Sequence, residues 1–94
     1  MTNTPIETLL FSEKRCGICQ VLKPKLRELM SDFPDIAHRE IDASEAPEFA
    51  AQHTVFSAPT LIIMAEGKEY RRYHGSFSVF TVQDDLERLR SLMQ

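Results

Sequence analysis

The sequence has no strong excess of either charge, no long apolar run, no internal repeat or low-complexity tract, and a single pair of cysteines. Each absence removes a class of function. A net charge of −3, with acids and bases interspersed along the chain, gives no electrostatic footprint for nucleic acid or for an anionic membrane surface. No apolar stretch approaches the roughly 20 residues that cross a bilayer. Met1-Thr-Asn-Thr-Pro-Ile6 has no basic segment leading into an apolar one, so no secretory signal is expected and the chain reads as cytoplasmic. In a reducing cytosol a lone cysteine pair is rarely a structural staple and is more often catalytic or metal-binding. Ninety-four residues suffice for one domain, 1–94, with a real core and no room for a second.

The stretch Phe11-Ser-Glu-Lys-Arg-Cys-Gly-Ile-Cys-Gln20 carries the chemistry. It reads as the end of a buried strand, a short loop, and a helix whose first turn holds both cysteines. At i and i+3 Cys16 and Cys19 share one helix face and can close and reopen a small disulfide ring. Cys16 falls at the helix N-terminus, where unpaired N–H groups and the macrodipole favour an anion, and Lys14 and Arg15 add positive charge beside it. The Cys16 thiol is therefore expected below a free thiol's pKa, in the range of roughly 3.5 to 7.5 reached by such sites.

Around this stretch the chain alternates strand and helix. Ile6 to Phe11 is an apolar strand. From Gly17 to Asp32 the residues Cys19, Leu22, Leu26, Leu29 and Phe33 step by three or four along one helix face. Pro24 interrupts that helix at a cost of roughly 3 kcal/mol in isolation. Ile36 to Asp42 is a second strand, followed by a short helix from Ser44 to His53 with Pro47 in its first turn. Val55 to Met64 holds a central strand after Pro59, Glu66-Gly-Lys turns a hairpin, and Glu69 to His74 forms a fourth strand. The last helix begins near Ser78 and buries Val82, Leu86, Leu89 and Met93. This order, β-α-β-α-β-β-α, implies a four-stranded mixed sheet with three helices on both faces.

Cys-Gly-Ile-Cys after the first strand, with Ala58-Pro59-Thr60 opening the third some forty residues later, resembles the thioredoxin-like family. Phe11, Pro24, Ile41-Asp42, Pro47 and Gly75 agree with its pattern. The resemblance covers Ile6 to Met93 and leaves out the strand and helix that precede the motif in full-length members. It implies that Cys16 is the nucleophile that attacks a substrate disulfide and Cys19 the resolving thiol. It implies that Pro59 is a cis-proline turning the Ala58 backbone toward the dithiol, so that Ala58, Pro59, Gly17 and Ile18 form the substrate-binding surface. Pro24 resembles the family's helix kink. Three positions depart from the family: Arg15 replaces a Trp, Ile18 a Pro, and Leu10 a buried Asp that serves proton transfer to the resolving thiol. Ser57-Ala58-Pro59 and the single Gly75 do not supply the glutathione-binding pattern of the short glutaredoxin branch.

Other readings of the cysteines stand beside this one: half of a zinc site, an iron–sulfur cluster shared between two chains, or two inert thiols. A structural zinc takes four ligands, and His38, His53 and His74 lie on three separate elements with no paired spacing. The sequence thus points to a monomeric thiol–disulfide oxidoreductase needing no metal or organic cofactor. Its partners are expected to be protein disulfides and a dithiol or reductase that donates electrons. The competing class is a non-enzymatic thioredoxin-fold binding module. His38 reads as a solvated or hydrogen-bonded strand histidine, with a proton relay near Asp42 as the alternative; His53, His74 and the Arg71-Arg72 pair read as surface or strand-edge residues, and the six Phe as core and rim, with Phe56 or Phe77 bordering a substrate groove.

Overall fold

The computed structural model describes residues 5–93; the polar lead-in at 1–4 and Gln94 lie outside the described residues. In chain order the elements are β1 (Ile6–Ser12), α1 (Gly17–Met30), β2 (Ala37–Asp42), α2 (Pro47–Gln52), β3 (Thr60–Ala65), β4 (Lys68–His74) and α3 (Val79–Leu92). They form one four-stranded sheet in the order β2-β1-β3-β4. β1 is parallel to β2 and antiparallel to β3, and β3 is antiparallel to β4, so the sheet is mixed as expected.

Both faces of β1 are covered, which is why its apolar residues run nearly without a break. Ile6 and Leu10 face α1 and α3, packing with Leu22, Leu26, Leu29, Val82 and Leu86. Leu9 and Phe11 face the other way, with Ile41, Ile62, Val55 and Ala50 of α2. The period of two in β1 and β3 thus feeds two separate cores.

Pro24 sits inside α1 without ending it. Its side is the solvent face, and the carbonyl that loses its N–H donor belongs to Gln20, which is also exposed. Water can take the missing donor's place there.

Three expectations need correction. The second helix starts at Pro47, with Ala46 as its cap, rather than at Ser44. The Ser44 N–H and hydroxyl both donate to Asp42 Oδ1, at 2.9 and 2.5 Å, so Ser44 closes a turn after β2 instead of capping a helix. Met93 follows α3 as its C-cap and is half-buried, outside the buried set Val82, Leu86 and Leu89. Of the Arg71-Arg72 pair on the edge strand β4, Arg71 is exposed as expected and Arg72 is not. Arg72 donates to Glu69 at 2.7 Å and to the carbonyls of His53 (2.5 Å) and Thr54 (2.9 Å), pinning β4 to the end of α2. On the opposite face Arg71 lies 3.6 Å from Asp85 of α3, and the Tyr73 hydroxyl donates to the same carboxylate at 2.5 Å. A register shift between Ile63 and Met64 lets Tyr70 join Tyr73 against the α1–α3 core, where strict alternation would separate them.

Candidate active site

The register brings the sequence-predicted residues to one end of the sheet. Phe11 pairs with Thr60, Ser12 with Asp42, and Thr60 with His74. The segments that follow or precede these residues, 13–16, 43–46, 57–59 and 75–78, therefore emerge together. Binding sites of sheet proteins with parallel strands collect at such ends.

Cys16 is the N-cap of α1 and is half-buried, while Cys19 is fully buried in the first turn. The two form a disulfide, with Cα atoms 5.2 Å apart. The Cys16 Sγ also accepts a hydrogen bond from the Cys19 N–H at 3.1 Å, as a Ser or Asp side chain does at an N-cap. One sulfur can thus be approached from outside, and the backbone offers it a donor that favours its anionic form. The loop before it is fixed by Glu13, whose carbonyl accepts from the Cys16 N–H (3.2 Å) and from Gln20 Nε2 (3.3 Å). Lys14 is drawn away to Glu45 at 3.1 Å, an exposed pair of little energetic weight. That ion pair, together with the nearby Asp42 carboxylate, raises the Lys14 ammonium above its ordinary value.

The Ala58–Pro59 peptide is cis, and Pro59 is buried. Its turn is held from behind. Thr60 Oγ1 donates to the Ser57 carbonyl at 2.8 Å and lies 3.3 Å from His74 Nδ1, and the Gly75 N–H donates to the Pro59 carbonyl at 3.0 Å. Among the described residues neither the N–H nor the C=O of Ala58 has a hydrogen-bond partner. Its backbone is thus open to an added extended strand. Ala58 lines a groove of 320 Å³ with Glu13, Pro47, Val55 and the exposed Phe56. Gly17 and Ile18 open a second groove that also includes Phe77.

Leu10 is completely buried in the core against α1. On β2, the strand beside it, two polar side chains are engaged with other partners. His38, paired with Thr8, has Nδ1 2.6 Å from Thr8 Oγ1, and Glu40, paired with Leu10, holds Arg27 of α1 through two bonds of 2.6 Å. The Arg27 guanidinium keeps the Glu40 carboxyl below its usual range, and burial, aided by Arg27 and opposed by Glu40, lowers His38. His53 is not a plain surface residue; its ring stacks edge-on against Phe49, with centroids 4.8 Å apart. Sequence reasoning missed the Thr60–Ser57 and Gly75–Pro59 bonds, although Ser57-x-x-Thr60 around a proline is a turn signal. It also missed Val21 and Phe80 beside Ile18, because their exposure follows from how α1 and α3 pack. Among the described residues no group of three or more His, Cys, Asp and Glu is placed to hold a metal ion.

Comparison with known proteins agrees with this geometry. The family profile described as Thioredoxin matches residues 4–88. Thioredoxin of Chlamydia trachomatis is 37% identical over 65 residues, 69% of this chain and 64% of that protein. Thioredoxin H2 of Arabidopsis thaliana is 30% identical over 78 residues, 83% of this chain and 55% of that protein. The chain thus spans less than two thirds of the length of these curated relatives. Among solved structures, thioredoxin 1 of Thermosipho africanus superposes with a TM-score of 0.85 at 31% identity, covering 93% of this chain and 97% of that one. A mutant thioredoxin from Halobacterium salinarum gives 0.82 at 27% identity, covering 89% of this chain and 74% of the other.

Proposed function

The chain belongs to the thioredoxin family, and from that premise we propose that it is a thiol–disulfide oxidoreductase in which Cys16 is the nucleophile and Cys19 the resolving thiol. The observation that carries this reading is the difference between the two sulfurs: Cys16 is half-exposed at the helix cap, with the Cys19 N–H aimed at its Sγ, and Cys19 is buried behind it.

In the reduced protein the Cys16 thiolate attacks one sulfur of a substrate disulfide. A Cys16–substrate disulfide forms and the other substrate sulfur leaves as thiolate. Cys19, deprotonated, then attacks Cys16 Sγ; the Cys16–Cys19 disulfide forms and the second substrate thiolate departs. Two electrons pass from the dithiol to the substrate, and the two thiol protons end on the substrate thiols or in water. A dithiol or a reductase returns the electrons. Ala58, with its open backbone, and Gly17, Ile18 and Pro59 around the pair form the surface on which an extended substrate lies. Leu10 cannot accept a proton, so the Cys19 proton leaves by water or by a departing substrate thiolate. The described residues act as one domain and as a monomer, in the cytoplasm. There a dithiol of this kind cycles rather than staying oxidised.

The test is a trapping experiment. Cys19→Ser should accumulate mixed disulfides through Cys16, visible as a mass increase that dithiothreitol removes, and Cys16→Ser should abolish disulfide reduction. Normal turnover by Cys19→Ser would overturn the assignment of the resolving thiol.

A further inference from the structure

Five large hydrophobic residues are exposed among the described residues: Ile18, Val21, Phe56, Phe80 and Leu92. Three of them, Ile18, Val21 and Phe80, border one groove of 410 Å³ between the first turns of α1 and the start of α3. Scattered exposed apolar residues are ordinary, but a contiguous set around a concavity marks a contact site. Phe80 is 73% exposed and Val21 56%, so neither is needed to complete the core. The groove is large enough for one or two side chains, since it lies near the lower end of the roughly 300–1,000 Å³ that encloses small ligands. Its edge carries the hydroxyls of Ser76 and Ser78, and its one ionisable lining residue is Lys25. Among the described residues Lys25 makes no ion pair, although Arg27 and Lys14 on either side of it in sequence do.

Position supplies the occupant. The groove starts at Gly17 and Ile18, the two residues between the cysteines, so it opens next to the residue to which a polypeptide is joined in a mixed disulfide. Resting on the assignment of Cys16 and Cys19 as the exchanging pair, we propose that this α1–α3 groove selects protein disulfides that carry a large apolar or aromatic side chain close to the reactive cysteine, with a carboxylate beyond it to meet Lys25. Phe80, Val21 and Ile18 are the anchors that such a side chain covers, and Lys25 sets the charge of its neighbour.

Two short peptides, each linked to its own copy by a disulfide, test this directly. One has Phe two positions to either side of Cys and Glu beyond; the other has Ser and Lys at those places. The reduced protein is mixed with each, and separately with 2-hydroxyethyl disulfide, which is too small and too neutral to use the groove. Second-order rates are followed by thiol trapping. The Phe/Glu peptide should react about tenfold faster than the Ser/Lys peptide. The double variant Val21→Ser, Phe80→Ser should lose most of that preference, and Lys25→Glu should lose the part that salt screens. All variants should reduce 2-hydroxyethyl disulfide at the unaltered rate, which also reports that they are folded. Equal peptide rates in the unaltered protein, or a preference that survives in the double variant, would overturn the groove while leaving the redox assignment intact. Failure to reduce 2-hydroxyethyl disulfide at all would instead remove the exchange reading, and the groove's role with it.

Discussion

His38 shows how a single side chain in this fold translates into a measurable dependence on pH. Its ring packs on the sheet face under α1, one nitrogen against Thr8 and the other, Nε2, buried without a partner. Burial disfavours the imidazolium, Arg27 opposes it further, and Glu40, 3.9 Å away, offsets part of both. The folded-state value is therefore below that of the unfolded chain, and between the two the unfolded state binds more protons. Stability contributed by neutral His38 is complete above the ordinary histidine value of about 6.5 and is lost as pH falls from there toward the lowered folded value. Urea midpoints at about pH 7 and pH 5 should fall further for the unaltered protein than for His38→Gln, where no imidazole must be charged. Equal falls would show that His38 titrates normally. At this scale the placement of the cysteines was legible, because spacing and helix position alone put Cys16 at the cap and Cys19 in the first turn of α1, within disulfide reach. The partner of His38 was not, since Thr8 becomes its neighbour only through the parallel register of β1 and β2.

At the scale of elements, the turn after β4 offers a sharper test than any helix. Gly75 has φ +63 and its N–H holds the Pro59 carbonyl. A Cβ there meets nothing within 4 Å, so the penalty of Gly75→Ala is one of backbone conformation, about 1–2 kcal/mol. Gly17 opens α1 with equally open surroundings and no positive φ, and Gly17→Ala should be neutral or slightly stabilising. Chemical denaturation of the two variants should separate them by about 1–2 kcal/mol. If they matched, the left-handed turn behind the Pro59 segment would not be a feature of the folded protein. Strands and helices were legible wherever apolar spacing was strong, as in β1, α1, β3 and α3. The start of α2 was not, because Asp42 and Ser44 use their side chains to close a turn that competes with helix initiation at the same residues. Arg72 was misread for a related reason: the carbonyls it binds sit at the end of α2, eighteen and nineteen residues back in the chain, and no local pattern reports that.

Across the whole molecule, a sheet covered on both sides forces four connecting segments to one end, and the cysteine pair and the cis-proline segment meet there because β1 and β3 are neighbours. The mixed sheet followed from the element order, and the placing of Pro59 beside the dithiol from the resemblance to the family; which apolar residues remain exposed around them followed from neither, since this depends on how closely α1 and α3 approach. The central claim is that Cys16 and Cys19 interconvert between dithiol and disulfide in the intact protein. A titration against a series of oxidised and reduced dithiothreitol buffers, read by thiol trapping and mass, tests it most directly. One reversible two-electron transition confined to Cys16 and Cys19 is expected, with a midpoint in the range of roughly −320 to −200 mV spanned by the cytosolic glutathione pool, thioredoxins and glutaredoxins. Absence of a reversible intramolecular disulfide, or its formation only after a chelator has removed a bound metal, would contradict it.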